Sequence, residues 1–179
     1  MFIASQKRKE NIAEYLIYMW QIEDIIRASG LDIDKLQQTV IDPSPLTSEQ
    51  KKELRQWYES LIDMMRREEV STSGHLQINR NTLSQLVDMH RQLLADPKET
   101  EYQAQFYKTL PFIVELRAKA GGYQSGEIET CFNALYGLLL MRLQHKTVSP
   151  ETQSAFDHIA RLLAMLAAKF HEKENKPED

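Results

Sequence analysis

A chain of 179 residues has room for one compact domain and can bury enough surface to fold without disulfides or a structural metal. Its composition, 42% hydrophobic and 27% charged, is that of an ordinary globular protein. A net charge of −4, from 22 Lys and Arg against 26 Asp and Glu, argues against dominant binding to nucleic acid or an anionic membrane, because phosphate affinity comes from uncompensated cations. Six Gly and six Pro disfavour Gly-rich phosphate loops, and the single cysteine, Cys131, cannot form an internal bridge, which fits a reducing compartment.

Apolar spacing of the i, i+3, i+4, i+7 kind recurs along the chain, while strict alternation never lasts a strand's length. An all-α fold follows. The spacing predicts a helix over 6–28, closed at Ser29-Gly30, then a short helix over 32–39 and a stiff Asp42-Pro43-Ser44-Pro45 connector. Thr47 with Gln50 three residues later forms a capping box that opens a helix over 47–69. Ser71 to Ile78 has neither period and reads as a loop. Helices are then expected over 80–95, over 99–120 with a bend at Pro111 and closure at Gly121-Gly122, and over 125–145 with Ser125 as cap. Ser149 ahead of Pro150 opens the last, over 150–172. Short connections favour antiparallel neighbours. The expected architecture is a single-domain antiparallel helical bundle over 1–172, with five long helices plus one short helix and a polar tail over 173–179. The leading Met1-Phe2-Ile3-Ala4 precedes its basic cluster, the reverse of a secretory signal, so a cytoplasmic setting is expected.

Helical wheels at about 100° per residue place several polar groups on apolar faces. Glu23 falls within the arc of Ile12, Tyr15, Leu16, Met19, Ile22 and Ile26. His90 centres the stripe of Leu83, Leu86, Val87, Leu93 and Leu94, Arg117 shares a face with Phe106, Leu110 and Ile113, and Arg142 lies on the broadly apolar helix that holds Cys131, which itself reads as a buried, inert thiol. A lone buried charge costs several kcal/mol, roughly, so these groups should be paired or line a polar cavity. The expectation is that Glu23 pairs with Arg142 or Arg117, with His90 nearby; the plainer alternative is a surface pair between Glu23 and Arg27, four residues apart. His75, behind Gly74, reads as a solvated loop histidine. No zinc, di-iron, P-loop, dinucleotide or nucleophile-elbow motif occurs, so no cofactor or metal is expected.

Two runs, Lys7 to Asp24 (KRKENIAEYLIYMWQIED) and Ile128 to Leu140 (IETCFNALYGLLL), resemble a bacterial family of all-helical proteins catalogued only as a domain of unknown function. The resemblance spans nearly the whole chain. It implies an all-α fold and a bacterial cytosolic setting, and it transfers no activity or catalytic residue.

Two functions compete. The first is an interaction or scaffold module that self-associates, expected as a homodimer, because Ile17 and Ile25 add apolar surface opposite the main stripe of the first helix. The alternative is a small-molecule-binding or enzymatic bundle, with Glu23, His90, Arg117 and Arg142 around an interior site for a small anionic ligand. The basic cluster Lys7-Arg8-Lys9 is followed by Glu10 and Glu14 and offers no nucleic-acid reading.

Overall fold

The computed structural model describes residues 2–119 and 125–175, and these are all-helical. In chain order they form α1 (Phe2–Glu10), α2 (Ile12–Ala28), α3 (Ile33–Leu36), a π-helical turn (Gln37–Ile41), α4 (Ser48–Arg67), α5 (Gln77–Ala95), α6 (Thr100–Lys119), α7 (Glu127–Leu143) and α8 (Pro150–Glu174). Against the expected five long helices and a short one, the expected spans themselves number six long and one short, and the structure has six helices of 17 to 25 residues plus two shorter ones. The additional short helix arises at Asn11, whose Oδ1 accepts from the Ala13 backbone N–H at 3.0 Å and so interrupts what the apolar spacing reads as one helix. The closure expected at Gly121-Gly122 lies outside the described residues, as do residues 176–179 of the expected tail. Lys173 and Glu174 of that tail are helical.

Contacts gather the chain into two compact units, one made of the residues to Glu10 with Glu14–Asn81, the other of Asn11–Ala13 with Thr82 onward. In the first, α3, the π-turn and α4 pack on one another. Asp32 caps α3 by accepting from Asp34 and Lys35, and the Thr47–Gln50 box closes in both directions, with bonds of 3.3 and 3.0 Å. The buried arc of α2 (Tyr15, Leu16, Met19, Ile22, Ile26) is the one the wheel predicts, and Trp20 is buried beside it. Tyr58 of α4 is buried as well, which pushes its phenol up to about 12, with the field of Tyr18 adding to the shift.

In the second unit, α6, α7 and α8 pack mutually. Buried polar groups tie two of them together: Gln105 Nε2 and Thr109 Oγ1 of α6 donate to the His158 carbonyl of α8 at 3.2 and 3.3 Å. Ser149 caps α8 with Pro150 in its first turn, as expected. At α7 the cap is Gly126 instead of Ser125; the Ser125 hydroxyl lies 2.8 Å from Thr130 Oγ1 inside the protein and is thereby drawn away from the helix end.

Candidate functional site

Glu23 is wholly buried, and its carboxylate is surrounded by donors from a single short stretch of chain. Oε1 accepts from the Leu76 backbone N–H at 2.9 Å and from Asn79 Nδ2 at 2.6 Å, while Oε2 lies 2.6 Å from His75 Nδ1. The expected pairing with Arg117 or Arg142 gives way to these partners. Leu76 immediately precedes α5, so its N–H belongs to the unsatisfied set at a helix start, where a carboxylate is favoured by both hydrogen bonding and the helix dipole. Glu68 does the same next door, accepting from the Gln77 N–H at 2.6 Å. The loop between Val70 and Gly74 is held by Arg27, which donates to the carbonyls of Val70, at 3.2 Å, and Gly74, and pairs with Asp24 at 2.8 Å. Its guanidinium stands 4.0 Å from Glu23, so the expected i,i+4 pair is a marginal one.

His75 is thus not a freely solvated loop residue. Its ring stacks on Trp20 with centroids 4.3 Å apart and planes 13° from parallel, and its side chain is 33% exposed. A carboxylate can only accept, so Nδ1 carries the hydrogen and Nε2 is the nitrogen left for another partner. Spacing alone links neither His75 nor Asn79 to Glu23. The available signal was indirect: a carboxylate on an apolar face demands donors, and His75 and Asn79, four residues apart at the start of a helix, are where one non-periodic segment could supply them.

The other three candidates lie in the second unit and have separate partners. His90 is buried, with Nδ1 2.7 Å from the Tyr102 hydroxyl and its ring edge-on to Phe106 at 4.9 Å. Burial pushes its pKa below the ordinary value, partly opposed by the field of Glu127 and reinforced by that of Arg91. Tyr102 is pushed upward by burial, so the pair is a neutral hydroxyl against a neutral imidazole at neutral pH. Arg117 donates to Thr130 Oγ1 at 3.2 Å and stands 3.6 Å from Glu127. Glu127 therefore pairs with Arg117 while its field also acts on His90. Cys131 is fully buried, and that burial pushes its thiol up to about 12. Arg142 corrects the wheel: it is exposed, one residue from the end of α7, and reaches Gln153 at 3.4 Å. A long side chain near a helix terminus can swing its charge into water even from an apolar face.

Among the described residues no cluster of His, Cys, Asp and Glu could hold a metal ion, and no helix is long and apolar enough to cross a membrane. Two of the three basic residues at the N-terminus are already engaged: Lys7 with Glu14 at 3.0 Å, and Arg8 over the Tyr15 ring at 5.4 Å.

An apolar surface stands apart from these polar clusters. On α6, Ala104, Tyr107, Pro111, Val114 and Ala118 are all exposed and follow one another at steps of three and four residues, so they form one continuous seam along the helix. Tyr107 and Val114 are 65% and 56% exposed. The opposite face of the same helix, with Tyr102, Phe106 and Ile113, is buried.

No curated protein and no solved structure matches the chain. A family model described as a domain of unknown function (DUF4924) matches residues 1–177. On that match the chain belongs to the DUF4924 family.

Proposed function

We propose that the protein is a cytoplasmic helical-bundle module that acts by self-association, pairing with a second copy through the outer face of α6. The observation that carries this reading is the exposed Tyr107–Val114 seam. Apolar side chains scattered singly over a surface are ordinary, but five in helical register on one exposed face form a patch of the kind that marks a contact. The second face of α2, which raised the idea from sequence, contributes less: Ile17 and Tyr18 are half-buried and only Ile25 is exposed. Light scattering at micromolar concentration should give twice the 20.9 kDa chain mass. Tyr107→Glu should return it to the monomer value with helical content unchanged. A wild-type protein of single-chain mass would refute the reading.

A second reading keeps an interior ligand site, and one observation favours it. Asn79 Oδ1 is buried beside Glu23 with no hydrogen-bond partner among the described residues. A small donor-bearing ligand held by Glu23, His75 and Asn79 is the form this reading takes; His90, Arg117 and Arg142 each have partners of their own and drop out of it. A thermal-shift screen tests it, since a ligand at about 100 times its dissociation constant stabilises by roughly 2.7 kcal/mol. A wild-type shift that persists undiminished in Glu23→Gln would remove Glu23 from any such site.

A further inference from the structure

The edge of the α6 seam carries a charge pattern that the seam itself does not need. Along one flank run Glu101, Lys108, Glu115 and Lys119, all exposed and alternating in sign. Glu115 and Lys119 pair with each other at 2.6 Å, whereas Glu101 and Lys108 make no ion pair among the described residues. The opposite flank is different in kind: Gln103, Leu110 and Arg117 are half-buried, and Arg117 is already committed to Thr130 and Glu127. The helix therefore presents one self-contained charged edge beside one apolar seam.

We infer that two copies of α6 pack antiparallel about a two-fold axis at Pro111, with Lys108 of each copy beside Glu115 of the other and Glu101 beside Lys119. This rests on the self-association reading above and specifies its geometry. A two-fold contact must be self-complementary, because the same patch serves both sides. In an antiparallel pair of helices each charged edge meets its own counterpart running the other way, so the order acid, base, acid, base is read against base, acid, base, acid. Every position on the edge then faces the opposite sign within a turn of helix. In a parallel pair the same edge would meet the flank of Gln103, Leu110 and Arg117, which offers one charge, already used. Like signs opposed across a contact cost enough to set orientation, and opposite signs fix register. The seam closes in the same arrangement: the small Ala104 of one copy meets the small Ala118 of the other at each end, and Tyr107 and Val114 meet across Pro111. Small residues at the ends let the helix backbones approach, while the two larger pairs fill the middle. Antiparallel alignment also opposes the helix dipoles favourably.

The test combines charge reversal with cross-linking on the full chain. All four edge and end positions are exposed, so the variants keep their helical content. Lys108→Glu alone and Glu115→Lys alone should each raise the dimer dissociation constant by about tenfold, the step expected when like charges replace opposite ones. The double variant Lys108→Glu with Glu115→Lys should return it to the wild-type range, because position 108 of each copy again faces a charge of opposite sign at position 115 of the other. With a short bis-maleimide, Ala104→Cys alone should give no covalent dimer, and Ala104→Cys with Ala118→Cys should give one; the native Cys131 is fully buried and stays silent in the folded protein. A dimer that cross-links through Ala104→Cys alone, or whose double charge variant stays weakened, overturns the antiparallel register while leaving self-association standing. A wild-type monomer overturns both.

Discussion

Glu23 on α2 and Val114 on α6 break the usual partition of residues in opposite directions: one is a carboxylate wholly out of water, the other a branched aliphatic more than half in it. The first unit meets its exception from within. Three donors from His75, Leu76 and Asn79 converge on the carboxylate, so the cost of burial is offset by bonds the chain itself supplies. Among the described residues the second unit leaves the Val114 seam uncovered. A polar group in the core is an intramolecular problem with an intramolecular answer; an apolar seam at the surface has no such answer within the helix, and the proposed self-association would supply one from outside.

Breaking the Glu23 cluster should have the largest effect on stability. Glu23→Ala leaves two buried donors and the half-buried His75 N–H without their acceptor and should cost about 3 to 5 kcal/mol, as losing one partner of a buried charged network does. Urea unfolding measures it, and an effect below about 1 kcal/mol would mean that water replaces the carboxylate with little loss. Glu23→Gln, which keeps one acceptor oxygen, should cost less, in the range of about 1 to 3 kcal/mol.

The His90 pair should be next. Tyr102→Phe removes the hydroxyl 2.7 Å from a buried imidazole and should cost about 1 to 2 kcal/mol. Its pH dependence has a defined sign. Because burial lowers the folded-state pKa of His90 below the ordinary 6.5, the unfolded chain takes up the proton first as pH falls. The stability of the protein should therefore decline as pH drops through 6.5 toward the lowered value, and His90→Gln should flatten that decline. A slope unchanged by the substitution would assign it to other groups.

Cys131 sharpens the contrast without touching stability. With its thiol pushed up to about 12 and no exposure, it should fail to react with a disulfide reagent in the native state and react fully in denaturant. Rapid native labelling would show that the interior of the second unit opens readily.

The smallest stability effect, and the largest on association, should come from the α6 seam. Val114→Glu replaces an exposed aliphatic and should change the stability of the isolated chain by no more than about 0.5 kcal/mol.

Helix class, most helix limits and the buried positions of Glu23, His90 and Cys131 were legible in the sequence, because period and capping chemistry are local. What sequence did not reveal required contacts between distant segments. Glu23 and His75 are 52 residues apart, and no spacing rule links them. The break at Asn11 was hidden because apolar spacing continues through it, even though an Asn side chain bonding two residues onward is a known helix opener. Arg142 misled for a different reason: a wheel records where a side chain starts, and a long one near a helix end can finish in water. The α6 seam was in plain view as residues at steps of three and four, but only burial of the opposite face distinguishes it from a core stripe.

Sedimentation equilibrium on wild type, Glu23→Gln and Val114→Glu tests the division most directly. The account predicts dimer, dimer and monomer in that order, with the Glu23→Gln protein less stable and the Val114→Glu protein as helical as wild type. A monomeric wild type, or a Val114→Glu protein that remains dimeric, would contradict it.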